Sequence, residues 1–136
     1  MQISKYKKPG TAEPAYWIDG VVHGDGQLKE MIKLRVDTGA DLTCIPSELC
    51  ERLQLSKTSR KFKLRFGDGR TEVVNSWNAF IEVGGHVYKL DKGVMLANRS
   101  DGFLGCDVID QMDILMSAGI MIIEQHEENS LKEGLL

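Results

Sequence analysis

The stretch Met31–Pro46, MIKLRVDTGADLTCIP, decides how the rest of the chain is interpreted. Its first half alternates apolar and charged residues, which is the pattern of a β-strand with one buried face. Because alternate residues of a strand share a face, Ile32, Leu34 and Val36 should point into a core. Asp37 then ends the strand on the opposite face, where it meets a cleft or solvent.

The residues that follow Asp37 permit two interpretations. Thr38 offers a hydroxyl that can bond to backbone or to a partner chain. Gly39 permits positive φ and lets another backbone or a ligand approach closely. The same Asp-Thr-Gly also suits an ordinary turn closed by a side chain, and the tripeptide alone favours that turn.

The composition indicates one soluble globular domain. The chain has 136 residues, 42% of them hydrophobic, and a formal net charge of −3. A domain of this size buries roughly 68% of its unfolded surface, so it folds without disulfides. The slightly negative charge argues against a nucleic-acid partner, and no apolar run approaches the ~18 residues of a membrane span.

The spacing of the three cysteines gives a second set of expectations. Cys44, Cys50 and Cys106 leave one thiol unpaired in any disulfide scheme, and their spacing fits no zinc motif. We therefore predict reduced thiols, a cytoplasmic location, and neither a metal nor another cofactor.

Frequent turn signals between short strands predict an all-β barrel or sandwich. Lys61–Phe66 alternates basic with apolar residues, and the turn after it predicts a hairpin that returns through Thr71–Asn75. Gly84-Gly85 predicts a second hairpin. Its strands and the remaining ones are expected over Ala79–Val83, His86–Leu90, Tyr16–Val22, Leu28–Val36, Val94–Ala97 and Ile120–Ile123.

Two short helices and two polar ends complete the prediction. Ser47 is expected to cap a helix that runs to about Leu53, and Asp107 to cap one over Val108–Met112. Residues 1–14 and 125–136 are polar and are expected to be loosely held, which leaves residues 15–124 as the domain.

Three motifs in fixed order resemble the retropepsin-like aspartic proteases. VDTGADLTCIP (36–46) is similar to the catalytic signature of that family: an apolar residue, Asp-Thr-Gly-Ala, a small or acidic residue, then Thr or Ser and an apolar pair. DGFLGCDVID (101–110) looks like its second signature, two apolar residues and a glycine that lead into a helix. RFGDGRTEV (65–73) lies between them, where the family has its flap. The resemblance covers roughly residues 15–124 and is nearer to bacterial or retroelement-like members than to two-domain pepsins. It implies a closed β-barrel or sandwich with a flap hairpin.

The resemblance also implies an aspartic endopeptidase that acts on peptides as a homodimer. This chemistry needs two carboxylates around one water, one ionised to take a proton and one protonated to donate. Like charges about 3 Å apart cannot both ionise, so the pair shares a proton, and aspartic proteases are the standard example of that rule. The chain has one Asp-Thr-Gly and no Asp-Ser-Gly, so Asp37 of two chains would meet at a twofold axis.

The family assigns roles to the neighbouring residues. Thr38 would brace the paired loops across the axis, and Gly39 would offer backbone contacts to substrate. The next residues, Ala40 and Asp41, would also contact the substrate. Phe103 and Leu104 would pack beneath the loop and shape the cleft. The flap over the peptide would consist of Phe66, Gly67, Asp68 and Gly69.

Two positions depart from the family pattern. Arg35 shares a strand face with Asp37, where retroviral relatives usually carry an apolar residue. A cation there would favour an ionised carboxylate and could select an acidic or polar substrate side chain; alternatively, Arg35 is a solvated residue at a strand end. Cys106 stands where retroviral enzymes often carry an Arg that pairs with the acid after Asp-Thr-Gly-Ala, here Asp41. A retroviral style of dimer edge is therefore not expected, and the N-terminus lacks the apolar strand that such dimers interleave.

Two functions stay open at this level. The first is the active dimeric endopeptidase. The second is a catalytically silent retropepsin-like module that binds peptides or dimerises. The intact Asp-Thr-Gly favours the first.

Overall fold

The computed structural model describes residues 1–24, 26–96 and 101–125. Strands dominate this part of the chain, together with two short helices. In chain order the elements are β1 (Gln2–Tyr6), β2 (Ala15–His23), β3 (Lys29–Val36), β4 (Cys44–Pro46), α1 (Ser47–Arg52), β5 (Ser56–Arg65), β6 (Thr71–Val83), β7 (His86–Leu96), β8 (Gly102–Leu104), α2 (Cys106–Ile109), β9 (Met112–Ser117) and β10 (Ile120–Gln125).

The strands form one sheet in the order β5-β6-β7-β4-β8-β3-β2-β1-β10-β9. Most neighbours are antiparallel, whereas β3 pairs with β8 and β4 with β7 in parallel. The all-β prediction is confirmed, but the sheet as a whole is not closed into a barrel, because its end strands β5 and β9 do not pair. An additional pairing of β2 with β6 instead folds the sheet back on itself around the core.

Strand β3 runs through the centre of this core, as its alternation predicted. Ile32, Leu34 and Val36 are buried, and Leu34 is fully inaccessible. Lys33 and Arg35 lie on the other face and are at least partly exposed. At about 25 cal/mol for each Å² of apolar surface removed from water, burial of such side chains is the main favourable term that fixes the strand.

Both predicted hairpins are confirmed. Arg65 pairs with Thr71 at the end of the β5–β6 hairpin, and the turn is closed by Phe66 N–H donating to the Arg70 carbonyl at 2.8 Å. Val83 pairs with His86 in the β6–β7 hairpin. Gly84 and Gly85 both have positive φ (60° and 82°), which a two-residue turn of this kind requires of its central residues.

The N-terminal segment differs from the expectation that it is loosely held. Strand β1 pairs with β10 and with the start of β2. The Met1 amino group donates to the Ile123 carbonyl at 2.9 Å, and Ile3 packs against the core. A short strand with one inward apolar residue has no periodicity to reveal it, and only its pairing partners make it a strand. The division into residues 1–14, 15–124 and 125–136 stays a prediction.

Other element boundaries also differ. The sequence indicated neither β4 nor β8, which have three residues each, nor β9. β7 runs without a break to Leu96 rather than as two strands, and Ala97 and residues 126–136 lie outside the described residues.

Both helix caps were predicted wrongly. Ser47 is the first helical residue of α1, whose N-cap is Pro46 with no side-chain cap hydrogen bond. Gly105 is the N-cap of α2, and that helix ends at Ile109 because Met112 begins β9. Asp107 does not cap because its carboxylate is bound to Thr43 instead.

No helix in the described part of the chain is both long and apolar enough to cross a membrane.

Candidate active site

Asp37 is the first residue after β3, and the backbone holds it in place. Its N–H donates to the Leu104 carbonyl at 3.0 Å, and its own carbonyl accepts from Ala40 N–H at 3.2 Å. Its Oδ1 accepts a hydrogen bond from Gly39 N–H at 3.0 Å. The side-chain-closed turn that the tripeptide suggests is therefore present, and it orients a half-buried carboxylate.

Gly39 does not have the positive φ that its residue type permits. Among the described residues, six other glycines do have positive values. A Cβ at Gly39 would lie 3.4 Å from Oδ1 of Asp37, beside the carboxylate that its N–H binds.

The two signature stretches of the sequence meet at this loop. Cys106 N–H donates to the Ala40 carbonyl at 2.8 Å, and Asp107 N–H donates to the Asp41 carbonyl at 3.1 Å. The Cys106 thiol also donates to the Thr38 carbonyl at 3.3 Å. The first turn of α2 therefore supports the Asp37 loop from one side.

A buried hydroxyl joins the same two stretches more tightly. Thr43, which is fully buried, donates its hydroxyl to Oδ1 of Asp107 at 2.6 Å, and its N–H binds the same oxygen at 3.0 Å. Thr43 Oγ1 also accepts from Gly105 N–H at 2.9 Å. All these polar groups are thus satisfied inside the fold, as buried polar groups need to be.

Gly102 and Gly105 are required by this contact. A Cβ at Gly105 would lie 2.5 Å from the carbonyl carbon of Leu42, and one at Gly102 would lie 2.5 Å from the Cys44 carbonyl oxygen. Both obstacles are backbone atoms, which cannot rotate away. These two glycines of the second signature therefore let β8 and α2 approach the segment that follows Asp37.

A cleft of about 900 Å³ opens above Asp37. The sequence-predicted site residues that line it are Arg35, Asp37, Gly39, Ala40, Asp41, Phe66, Gly67 and Phe103. Leu104 does not line it, because it is fully buried beneath the loop. Thr38 and the hairpin-tip residues Asp68 and Gly69 are exposed outside the lining.

Sequence reasoning missed other parts of the cleft wall. Phe62 and Leu64 line it from the β5–β6 hairpin and pack near Leu42 and Phe103, as the alternation of β5 could have indicated. Thr11–Glu13 and Trp17 line it from the N-terminal side, and no local pattern marks them. Trp17 lies there because β2 pairs with β3 opposite Arg35. Lys8, just before Thr11, forms an ion pair with Asp101 at 2.6 Å, and its ammonium lies 5.4 Å from the Trp17 ring centre.

Arg35 is exposed within the cleft. It is in register with Trp17 of β2 on one side and with Phe103 of β8 on the other. Within the described residues Arg35 forms no ion pair, and neither does Asp41, which agrees with the cysteine at position 106.

The Cys106 thiol is a protonated donor at neutral pH. Desolvation raises its pKa above the ordinary value, and the nearby acids Asp110, Asp41, Asp107 and Asp37 raise it further. The thiol can therefore keep its hydrogen bond to the Thr38 carbonyl. Among the described residues no cluster of three or more His, Cys, Asp or Glu could hold a metal ion.

One known protein family matches the chain over the segments that form this arrangement. The family described as "gag-polyprotein putative aspartyl protease" matches residues 25–111, which is most of the chain and includes both signature stretches. The chain belongs to the retropepsin-like aspartic protease family.

A solved structure agrees with the family. This retropepsin-like chain is similar to the crystal structure of a retropepsin-like aspartic protease from Rickettsia conorii, with a TM-score of 0.61 and 17% sequence identity. The match covers 91% of this chain and 88% of the other. At that identity the likeness shows the fold alone. No curated protein matches the chain.

Proposed function

We propose that this retropepsin-like chain is an aspartic endopeptidase that hydrolyses peptide bonds as a homodimer. The observation that carries the proposal is the Asp37 carboxylate, which Gly39 N–H orients at the floor of a cleft large enough for an extended peptide. A carboxylate held only for a structural turn would not need an open cleft above it.

The reaction needs a second carboxylate that this chain does not supply. Of the other acids in the cleft, Asp101 is paired with Lys8, and neither Glu13 nor Asp41 is followed by Thr-Gly. Asp37 of a second copy supplies it. The ionised member of the pair takes a proton from the water, and the protonated member donates to the carbonyl oxygen of the scissile bond.

Thr38 supports assembly of this kind. It is exposed, and its hydroxyl makes no hydrogen bond within the described residues, although it adjoins an ordered loop. In a twofold dimer the hydroxyls of the two Thr38 residues lie next to the paired loops and bind across the axis. Gly39, Ala40 and Asp41 then face the substrate backbone.

Strand β9 supplies the surface for the second copy. It is an end strand of the sheet, so one row of its backbone groups has no partner strand in the part of the chain that the structure describes. Leu115 and Ile122 lie side by side on the exposed face, and Ile120 is exposed on the same face. Antiparallel pairing of two β9 strands obeys twofold symmetry and brings the Leu115 side chains of the two copies onto one continuous sheet face. Strand β9 also follows directly on α2, which supports the Asp37 loop.

The β5–β6 hairpin is the proposed flap. Its tip projects beyond the cleft wall, and Phe66 and Gly67 face the cleft while Asp68 and Gly69 form the exposed turn. The Arg70 guanidinium lies 4.6 Å from the centre of the Phe66 ring, which keeps the ring over the cleft. Closure of the hairpin over a peptide would exclude water from the reacting bond.

We place the enzyme in the cytoplasm. The thiols of Cys50 and Cys106 act as hydrogen-bond donors, to the Pro46 carbonyl at 3.2 Å and to the Thr38 carbonyl at 3.3 Å. Reduced thiols are usual in that compartment.

The test is cleavage of a mixed peptide library by wild-type protein and by Asp37→Asn, across about pH 4 to 7, where a carboxylate pair that shares one proton can act. Wild type should cleave and Asp37→Asn should not, with unchanged circular dichroism and melting temperature. Asp19→Asn, an exposed acid on β2, is the matched control and should stay active. Retained cleavage by pure Asp37→Asn would refute the mechanism. Wild-type protein that binds a statine-type transition-state mimic but never cleaves is the silent module.

A further inference from the structure

We infer that Arg35 selects substrates with an acidic side chain beside the scissile bond, and that it does so on both sides of that bond. This inference rests on the proposed peptidase activity and adds its substrate class.

The position of Arg35 relative to Asp37 suits contact with the substrate side chain that lies next to the scissile bond. The two residues are two positions apart and on the same face of the chain at the end of β3, and both line the cleft. That separation is about 6.8 Å, which is also the spacing of alternate side chains along an extended peptide. A substrate whose reacting carbonyl lies at Asp37 therefore brings a neighbouring side chain to Arg35.

The surroundings of Arg35 strengthen its attraction for an anion. Trp17 and Phe103 flank it in register on the two neighbouring strands, and both line the same cleft. These aromatic walls limit the water around the guanidinium once a peptide fills the cleft. A charge-assisted hydrogen bond is stronger in such a place than in open solvent, and the planar fork of Arg matches a carboxylate with two donors.

Arg35 has no counterion of its own within the described residues. Lys33, two residues earlier on the same strand face, does have a counterion: its ammonium lies 2.6 Å from Oδ1 of Asp19. Lys63 and Arg65 of the β5–β6 hairpin also line the cleft and are in none of the described ion pairs. Glu13 and Asp41 lie in the same cleft without pairing to Arg35. The charge of Arg35 is thus available to a bound ligand.

Twofold symmetry makes the prediction more specific. Each protomer supplies one Arg35, and the two lie on opposite sides of the Asp37 pair. An extended peptide crosses the axis, so one Arg35 faces a side chain before the scissile bond and the other faces a side chain after it. Acid preference should therefore occur at matching positions on both sides.

The experiment compares kcat/KM for peptides that differ only by Glu or Gln at the positions flanking the bond. Wild type should prefer Glu by roughly tenfold at each side, in line with one charge-assisted hydrogen bond, and the preference should shrink in high salt. Arg35→Leu should abolish the preference, and Arg35→Lys should keep part of it. Lys33→Leu, the matched control, should behave as wild type. Equal rates for Glu and Gln peptides in an active enzyme would overturn the inference and leave the proposed function intact.

A second readout covers a protein that does not cleave. Binding of statine-containing peptides with Glu or Gln beside the statine can be measured by calorimetry. A preference for Glu that Arg35→Leu removes supports the inference even if the peptidase proposal fails. Equal binding of the two peptides, or no binding of either, would overturn it.

Discussion

The Thr43 hydroxyl lies 2.6 Å from Oδ1 of Asp107, a residue 64 positions later, and the same hydroxyl accepts from Gly105 N–H at 2.9 Å. One buried oxygen thus joins the loop after Asp37 to the start of α2. Neither residue is part of the proposed chemistry. Together they fix the backbone on which Asp37 and Gly39 are placed.

Thr43→Val tests this link, because Val keeps the shape of Thr and removes only the hydroxyl. Gly105 N–H then loses its acceptor and the Asp107 carboxylate loses a donor. We expect the free energy of unfolding to fall by about 2 to 4 kcal/mol, since buried polar groups without partners are costly. Urea denaturation measures it. Thr43→Ser keeps the hydroxyl and should lose less; a Val variant as stable as the Ser variant would contradict the role of this link.

Gly105→Ala tests the close approach of α2 to the Asp37 loop. The new methyl would lie 2.5 Å from the Leu42 carbonyl carbon, so the backbone has to shift. We expect a loss of about 3 kcal/mol or more in stability, at the upper end for overpacked sites. Gly67→Ala is the control, because nothing lies within 4 Å of its Cβ position, and it should change stability by less than about 1 kcal/mol. Thermal unfolding that gives the two variants equal melting temperatures would show that the contact is not tight.

Cys50 should make stability fall with rising pH. Burial raises the pKa of its thiol from 9.0 to about 12. The unfolded chain therefore loses this proton at lower pH than the folded chain, so the contribution is complete below pH 9.0 and is lost as pH rises towards about 12. From pH 8 to pH 10 the wild type should lose about 1.4 kcal/mol more than Cys50→Ala, which lacks the thiol. Denaturation curves at the two pH values measure this difference. Identical losses in the two proteins would mean that Cys50 ionises normally in the fold.

The dimer surface on β9 predicts a dependence on concentration. Leu115→Glu places a negative charge on each copy beside the junction of the two β9 strands and should convert dimer to monomer, because like charges on paired strands are destabilising. Peptidase activity should fall with it and should recover at high protein concentration. Sedimentation velocity and activity over a dilution series measure both effects.

Val87→Glu is the control for that prediction. Val87 is also exposed but lies on β7, away from the end strand β9, and its variant should dimerise normally. A wild-type monomer whose specific activity stays constant over several decades of dilution would rule out the dimer. A Leu115→Glu dimer as tight as wild type would place the interface elsewhere.

Periodic and strictly local signals in the sequence were sufficient for part of the fold. The alternation in β3 and β5 identified the buried faces, because a strand repeats every two residues and the solvent selects which face is apolar. Gly84-Gly85 identified a hairpin because few residues other than glycine adopt its backbone angles. The Asp-Thr-Gly turn was readable because it is local: the hydrogen bond from Gly39 to Asp37 spans only two residues.

Elements with little internal pattern could not be read in this way. Strands β1, β4 and β8 are short, and each exists because a distant strand pairs with it. The caps failed for a similar reason: Asp107 has the right chemistry to cap α2, but Thr43 offers its carboxylate two donors in the core. A local preference of about 1 kcal/mol for a capping residue does not outweigh two buried hydrogen bonds to a charged group.

The residues of the candidate site also fall into two groups, those that local sequence patterns predict and those that only the tertiary structure brings together. By itself the sequence determined Asp37, its glycine and the arginine on the same strand face, because these positions follow from spacing along one strand and one turn. Only the tertiary structure decided that Arg35 lies between Trp17 and Phe103, that Thr11–Glu13 line the cleft, and that Thr43 holds α2 against the Asp37 loop. Contacts between distant segments depend on the balance of burial and hydrogen bonding over the whole fold, and no single stretch of sequence encodes that balance.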